Sequence, residues 1–380
     1  MGCCCKKKTS NLIYVVHTDH LLDKTKKGNK AKKLEYGDFE IQKLIGKGSF
    51  AKVYLVRNRK DNKLYSMKKL NKPFIRNHNQ EKQIINERIL LSNLNNSFLV
   101  KLFCCFQDVE NLYFIMEFVQ GGELFFHLHR ETRFDDEKTK FYAAEIVLAL
   151  NFLHEHNIIY RDLKPENILL DKNGHIKLTD FGLSRICSGK DEKAFTLCGT
   201  PFYIAPEIIK KQGYNNSVDW WSLGCLIYEM LTGKPLFNFY NTKIEYKEYE
   251  KPIPFNNTFT EEAKDLIKNL LVIDPNKRLG NGVNGFKNLK NHKYFNDIDW
   301  DKLEQQKIEP PFVPTINDES DLQNFAKIFV DNNNITRDFD DNPNNKSVDN
   351  YVNFTYCDNN SFINTEKNKD NEEKEDMLKE

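Results

Sequence analysis

One stretch, Tyr160-Arg161-Asp162-Leu163-Lys164-Pro165-Glu166-Asn167, constrains this chain more than any other. Two acids, a lysine and an asparagine crowd around a proline. The apolar run Ile168-Leu169-Leu170 follows, and then Asp180-Phe181-Gly182. Apolar runs this short, bounded by turn residues, read as buried strands. Polar groups held between such strands can present one base, one cation and two metal ligands to a phosphorylated nucleotide.

Together the two segments resemble the catalytic loop and metal-binding triplet of protein kinases. The resemblance implies an α+β, two-lobed fold, with a small β-rich lobe at residues 38–118 and a larger, mostly α-helical lobe at residues 119–295. It implies ATP as the nucleotide and Mg2+ as the cofactor. Asp162 would act as general base, accepting the proton of a substrate hydroxyl, and Lys164 would neutralise charge developing on the γ-phosphate. Asn167 and Asp180 would hold magnesium. None of these positions departs from the family pattern, which argues against a pseudokinase.

The bulk properties agree. At 380 residues the chain can bury a large core and form two lobes plus extensions. Its formal charge of +1 gives no global field toward nucleic acid, and no such partner is expected. No run of about 18 apolar residues exists, and the N-terminus lacks the apolar core of a secretory signal. Of nine cysteines, three are consecutive near the N-terminus. The others (Cys104, Cys105, Cys187, Cys198, Cys225 and Cys357) show no zinc-type pairing or disulfide spacing, so reduced thiols in a cytosolic protein are expected.

In the small lobe, Phe39-Glu40-Ile41-Gln42-Lys43-Leu44-Ile45 alternates like a strand, and Lys52-Val53-Tyr54-Leu55-Val56 reads as another. Between them lies Gly46-Lys47-Gly48-Ser49-Phe50-Ala51. Glycines there let backbone amides approach phosphate oxygens that a side chain would block. A dinucleotide-binding turn opens into a helix, whereas this one returns as a strand, so a hairpin over ATP is the better reading. The expected nucleotide cover is Ile45, Gly46, Lys47, Gly48, Ser49, Phe50, Ala51, Lys52 and Val53, with Ala51 in place of the third glycine. Tyr65-Ser66-Met67-Lys68 resembles the strand bearing the phosphate-anchoring lysine. Lys68 is thereby implied to reach the α- and β-phosphates, paired with Glu87 on a helix from about Gln80 to Leu94. Lys69 is the rival, but strand alternation points it with Met67, away from Lys68 and Ser66. Leu112–Val119 reads as a buried strand leading into a connection. The resemblance places Met116 beside the adenine, gives it the backbone of Glu117 and Val119, and brings Glu123 near the ribose.

The large lobe opens with an amphipathic helix from Asp136 to His154. Further on, Thr196-Leu197-Cys198-Gly199-Thr200-Pro201-Phe202-Tyr203-Ile204-Ala205-Pro206-Glu207 resembles the activation segment of the AGC group of serine/threonine kinases, as does Tyr160. Thr196 is the implied phosphosite for an upstream activating kinase, its phosphate pairing with Arg161 beside the base. Thr200 is expected on Asp162 and Lys164, Glu207 on Arg278, and Asp219 on the backbone of the catalytic loop. Phe202 stands where most AGC members have glutamate. Glu123, Glu166 and Glu229 fall where basophilic kinases receive arginine, which implies protein substrates with basic residues upstream of Ser or Thr. Between Phe237 and Phe255 a short helix is expected.

Ile298-Asp299-Trp300 and Glu309-Pro310-Pro311-Phe312-Val313-Pro314 resemble the start of the AGC tail, expected over residues 296–356. Tyr351-Val352-Asn353-Phe354-Thr355-Tyr356 resembles its hydrophobic motif, in the pattern of the Akt/SGK/RSK branch. Tyr351, Phe354 and Tyr356 are then expected in a groove beside the Glu87 helix, with phosphorylated Thr355 near a basic group. Thr336 lies where a turn-motif site would fall but lacks a following proline, and residues 357–380 read as disordered. Residues 1–33 carry nine lysines against Asp19 and Asp23. Met1-Gly2-Cys3-Cys4-Cys5-Lys6-Lys7-Lys8 looks like an acylation signal, with myristoyl on Gly2, palmitoyl on the cysteines and lysines toward an anionic leaflet. The signal usually has Ser or Thr where Lys6 stands. The basic arm, residues 1–37, leaves no room for the lipid-binding domain of Akt, and acylation would take over that role at the cytoplasmic face of a membrane, with a cytosolic pool. The rival readings are a nucleotide-binding scaffold without phosphoryl transfer, and a small-molecule kinase.

Overall fold

The computed structural model describes residues 34–48, 51–189, 192–237, 246–330, 351 and 354–358. Ser49, Phe50, Thr336 and the acylation signal Gly2–Lys8 lie outside them. In chain order come β1 (Phe39–Lys47), β2 (Ala51–Asn58), β3 (Leu64–Asn71), α1 (Lys72–Asn77), α2 (Glu81–Asn93), β4 (Leu102–Gln107) and β5 (Asn111–Glu117). The large lobe follows with α3 (Leu124–Glu131), α4 (Asp136–Glu155), β6 (Ile158–Ile159), β7 (Ile168–Leu170), β8 (Ile176–Leu178), β9 (Arg185–Ile186), α5 (Pro206–Ile209), α6 (Ser217–Thr232), α7 (Glu261–Leu270) and α8 (Gly285–Lys290). Last are α9 (Trp300–Glu304), α10 (Lys327–Val330) and β10 (Tyr356–Cys357).

The small lobe is an antiparallel sheet in the order β1-β2-β3-β5-β4-β10. Both its faces are covered, and β5 shows how the alternation of a strand serves two cores. Leu112, Phe114 and Met116 join the cluster that includes Ile84, Leu90 and Leu91 of α2, while Tyr113 and Ile115 join Phe39, Tyr65 and Phe106 on the other side. Lys68 follows the same rule, since Met67 faces the second cluster and Lys68 therefore faces α2. Leu34 is buried in that second cluster too, and Tyr36–Asp38 form a 3-10 turn, so ordered contact begins before residue 38.

The large lobe is built around α4 and α6. The expected amphipathic pattern of α4 is not what the structure has: Thr139, Phe141–Leu150, Leu153 and His154 are buried, which leaves almost no solvent face. A helix apolar on most sides belongs to the interior. Its buried ionisable groups have partners: Glu145 accepts from His175 Nδ1 at 2.6 Å and from the Ile176 amide at 2.9 Å, and His154 meets Asp219. Helix α6 is buried from Ser217 to Leu231 and ends at Gly233, where φ is 73° and a Cβ would fall 1.7 Å from the Thr132 carbonyl oxygen. Only glycine fits there. The region between Phe237 and Phe255 contributes a 3-10 helix, Tyr246–Glu250, rather than an α-helix among its described residues.

Glu207 and Arg278 meet as expected. The Arg278 side chain is fully buried, and its Nη1 and Nη2 donate to the two Glu207 oxygens at 2.6 and 2.9 Å. Its Nε and Nη1 also donate to the carbonyls of Val272 and Ser217, both at 3.0 Å. Removing one partner leaves the other charge buried and unpaired, which costs about 3–5 kcal/mol. Arg278→Met is therefore expected to lower the denaturant-derived unfolding free energy by about that amount, and adding Glu207→Met to recover part of it. Equal stability of Arg278→Met and wild type would remove the pair from this account.

Candidate active site

The cleft between sheet and helices collects most of the residues singled out in the sequence. Lys68 Nζ lies 2.6 Å from Glu87 Oε1 and 3.5 Å from Asp180 Oδ1. Glu87 sits on the apolar face of α2, where its carboxylate is buried. Burial opposes the ammonium charge, yet Asp180 and Glu87 outweigh it and raise Lys68 above the ordinary lysine range. Lys68 in turn holds the Asp180 carboxyl below its usual range, so Asp180 is an anion facing the cleft.

Asp162 is fixed on every side. Thr200 Oγ1 donates to its Oδ1 at 2.8 Å, and Asn167 Nδ2 donates to its Oδ2 at 2.8 Å and to its carbonyl at 2.9 Å. Lys164 Nζ stands 2.9 Å from its Oδ2 and 3.0 Å from Thr200 Oγ1. The loop that carries it hangs from Asp219, whose carboxylate accepts the amides of Tyr160 at 2.9 Å and Arg161 at 2.8 Å. His154 Nε2 meets the same carboxylate at 2.8 Å. Arg161 and Asp180 both have positive φ, 67° and 55°, a conformation that non-glycine residues hold only where surrounding contacts enforce it.

In the nucleotide cover, β1 and β2 pair antiparallel and the Gly48 amide donates to the Ala51 carbonyl at 2.8 Å. The hairpin reading is thus what the chain adopts, with Ser49 and Phe50 at its tip outside the described residues. Ile45, Lys52 and Ala51 are buried, whereas Gly46, Lys47 and Val53 are not fully covered. Met116 and Val119 are buried beside Glu117, whose carbonyl accepts from Ser66 Oγ at 2.9 Å and keeps a second lone pair. Glu123 precedes α3 at the mouth of the cleft.

Glu166 lies close enough to both Glu123 and Glu229 for its charge to raise them. Burial and the Glu166 charge push Glu123, at the rim, up to about 7. Burial pushes Glu229 up to about 7 as well, against a hydrogen bond from Tyr203, with Glu166 adding to the rise. Glu166 is also raised by burial, and its Oε2 is buried with no hydrogen-bond partner among the described residues.

Thr196 is exposed, and Arg161 does not reach its side chain. Arg161 Nε donates to the Leu183 carbonyl at 2.6 Å and its Nη1 to Tyr214 Oη at 3.0 Å, and that hydroxyl donates to the Thr196 carbonyl at 2.7 Å. Tyr214 is the residue that sequence reasoning missed, since no local pattern marks a tyrosine two loops away. The hydrophobic motif lies on α2 as expected. Phe354 is fully buried against the Phe114 ring, 5.3 Å between centroids. Arg88 Nε and Nη2 donate to the Phe354 and Thr355 carbonyls at 3.3 and 3.4 Å, and its guanidinium lies 5.5 Å from the Tyr356 ring. Tyr351 faces Lys72, 5.7 Å from its ring. Order continues past residue 356, because Cys357 belongs to β10 and the Asp358 amide donates to Phe103.

Comparison with known proteins agrees with this geometry. Residues 39–295 match the protein kinase domain family. Serine/threonine-protein kinase Sgk1 of Xenopus tropicalis is 48% identical over 296 residues, 77% of this chain and 71% of that protein. Serine/threonine-protein kinase gad8 of Schizosaccharomyces pombe is 46% identical over 305 residues, 80% of this chain. The cAMP-dependent protein kinase catalytic subunit of Dictyostelium discoideum is 47% identical over 289 residues. The chain spans about half the length of these last two relatives, 53% and 44%.

If Asp219 holds the loop, Asp219→Ala should release the amides of Tyr160 and Arg161. Hydrogen bonds to a charged group contribute about 1.5–3 kcal/mol each. Hydrogen exchange at these two amides is therefore expected to accelerate at least about 10-fold, and unchanged exchange would show the loop is held elsewhere.

Proposed function

The chain belongs to the protein kinase family, among the AGC-group serine/threonine kinases, and from that premise we propose that it transfers the γ-phosphoryl group of ATP to Ser or Thr in arginine-containing protein sequences. The observation that carries this reading is the fixed Asp162 carboxylate, set between Thr200, Lys164 and Asn167 in the same cleft as the Lys68–Glu87–Asp180 group. The substrate hydroxyl oxygen attacks the γ-phosphorus, the bond to the β-phosphate oxygen breaks, and the hydroxyl proton passes to Asp162. Lys68 anchors the α- and β-phosphates, and Lys164 offsets charge on the transferred group. Asn167, with Nδ2 spent on Asp162, keeps Oδ1 for magnesium, and Asp180 supplies a carboxylate held ionised. This oxygen-only donor pair fits magnesium, which takes one or two protein groups plus phosphate oxygens. When bound, the ion neutralises and orients those oxygens.

Basic-substrate preference is supported by the three neighbouring carboxyls. An arginine there would offset the Glu166 charge that raises Glu123 and Glu229 and draw these two back to the ionised form. Control by an upstream kinase is supported by the Arg161–Tyr214–Thr196 chain and by Arg88 beside Thr355. Anchoring to the cytoplasmic face of a membrane rests on the sequence from Gly2 to Lys8, and an unchanged membrane fraction in Gly2→Ala would end it.

Phosphorylation of an arginine-rich serine peptide tests the reading. Asp162→Asn is expected to lower kcat about 10²- to 10⁴-fold. Absence of transfer from protein phosphorylated at Thr196 and Thr355 would favour the scaffold. Glu229→Gln should raise KM for the arginine peptide about 10- to 100-fold, while a peptide lacking arginine is unaffected. The pH dependence has a definite sign. Glu123 and Glu229 gain protons as pH falls through about 7, and the protonated acids cannot pair with arginine. KM for the arginine peptide should therefore fall as pH rises from about 6 to 8, and a flat KM would discard these acids as the arginine site.

A further inference from the structure

Strand β10 adds to the open edge of β4, with Tyr356 opposite Cys105 and Cys357 opposite Cys104. The Asp358 amide donates to the Phe103 carbonyl at 2.8 Å. In an antiparallel ladder a bond between the residues flanking a pair marks that pair as non-hydrogen-bonded. Such pairs have Cα atoms about 4.5 Å apart and the closest side chains, and a disulfide spans Cα separations of roughly 4.4–6.8 Å. Cys104 and Cys357 also share a face. Cys104 is buried among Phe39, Tyr65 and Phe106, and Cys357 packs against the same cluster. Cys105 points to the opposite face, with Phe114, and does not compete. All three are free thiols in this structure.

We propose that Cys104 and Cys357 form a reversible disulfide that clips the C-terminal strand, and the Phe354 anchor before it, onto the small-lobe sheet. A two-residue edge strand opens locally with ease, so its docking is an equilibrium on which a covalent bond can act. Docking sets the two thiols opposite each other on one face of the sheet. Arg88 holds the strand on one side through Phe354 and Thr355, and Lys101 holds it on the other, 3.4 Å from Asp358. Spacing along the sequence could not reveal this pair, because the register of two distant strands creates it.

The bond requires a two-electron oxidant, here a peroxide. The sulfur of Cys357, the more exposed of the two, attacks a peroxide oxygen and the O–O bond breaks, giving a sulfenic acid and water. The Cys104 sulfur then attacks that of Cys357, the S–O bond breaks, and a second water leaves. Two thiols lose two hydrogens and the peroxide is reduced to two waters. An added thiol reverses the bond by exchange.

The test is chemical and independent of phosphotransfer, so it can fail while the catalytic reading stands. The full chain, freed of reductant, is treated with hydrogen peroxide, alkylated, digested and mapped by mass spectrometry. A linked pair of peptides bearing Cys104 and Cys357 is expected, lost on adding dithiothreitol and absent from Cys357→Ser. Oxidised wild type should exchange the Tyr356 and Asp358 amides at least about 10-fold more slowly than reduced wild type, and Cys357→Ser should show no such change. Recovery of Cys104 and Cys357 as separately alkylated peptides would overturn the proposal, as would Cys357 joined to another cysteine.

Discussion

The ion pair between Lys68 and Glu87 is the constraint on which the cleft depends. A carboxylate on the buried face of a helix is costly unless an opposite charge meets it there. Lys68 does so at 2.6 Å, and the same ammonium faces Asp180 of the large lobe. Sheet, helix α2 and the Asp180-Phe181-Gly182 triplet are thereby held in one arrangement, because shifting any of them strands a charge. The tail bears on this arrangement from behind. Phe354 packs on Phe114, whose ring also lies 5.9 Å from Lys68 Nζ, and Arg88, the neighbour of Glu87, grips the tail backbone.

The large lobe follows the same logic with buried carboxylates that organise backbone. Asp219 suspends the catalytic loop, Glu145 fixes His175 and the start of β8, and Glu207 locks Arg278. Each is satisfied by several donors, as a buried charge must be. Rigidity gained this way offsets the positive φ at Arg161 and Asp180, two residues that flank the reacting region. The substrate acids are the opposite case. Glu166 keeps a buried oxygen without a partner among the described residues, and burial raises all three carboxyls, which leaves capacity for a cation from outside.

Much of this was legible in the sequence, for identifiable reasons. Lys68 could be chosen over Lys69 because strand alternation is a two-state question. The glycine hairpin could be told from a dinucleotide turn because the chain returns as a strand. What stayed hidden depends on contacts between segments far apart in the chain. Nothing near Tyr214 announces that it bridges Arg161 and Thr196, and nothing near Cys357 announces Cys104. The burial of α4 stays hidden because a periodic apolar face looks the same whether the other face meets water or, as here, carries Glu145 and His154 with their buried partners. Cys357 reads as part of the tail for a similar reason: composition does not register a two-residue strand.

The tail and the ion pair act on one object, the position of α2. A double-mutant cycle on kcat/KM for phosphorylation of an arginine-rich peptide measures this directly, using Glu87→Gln, Phe354→Ala and the two combined. If both act through α2, the combined loss will be clearly smaller than the product of the single losses. Losses that multiply to within about 2-fold, as for independent sites, would contradict the account.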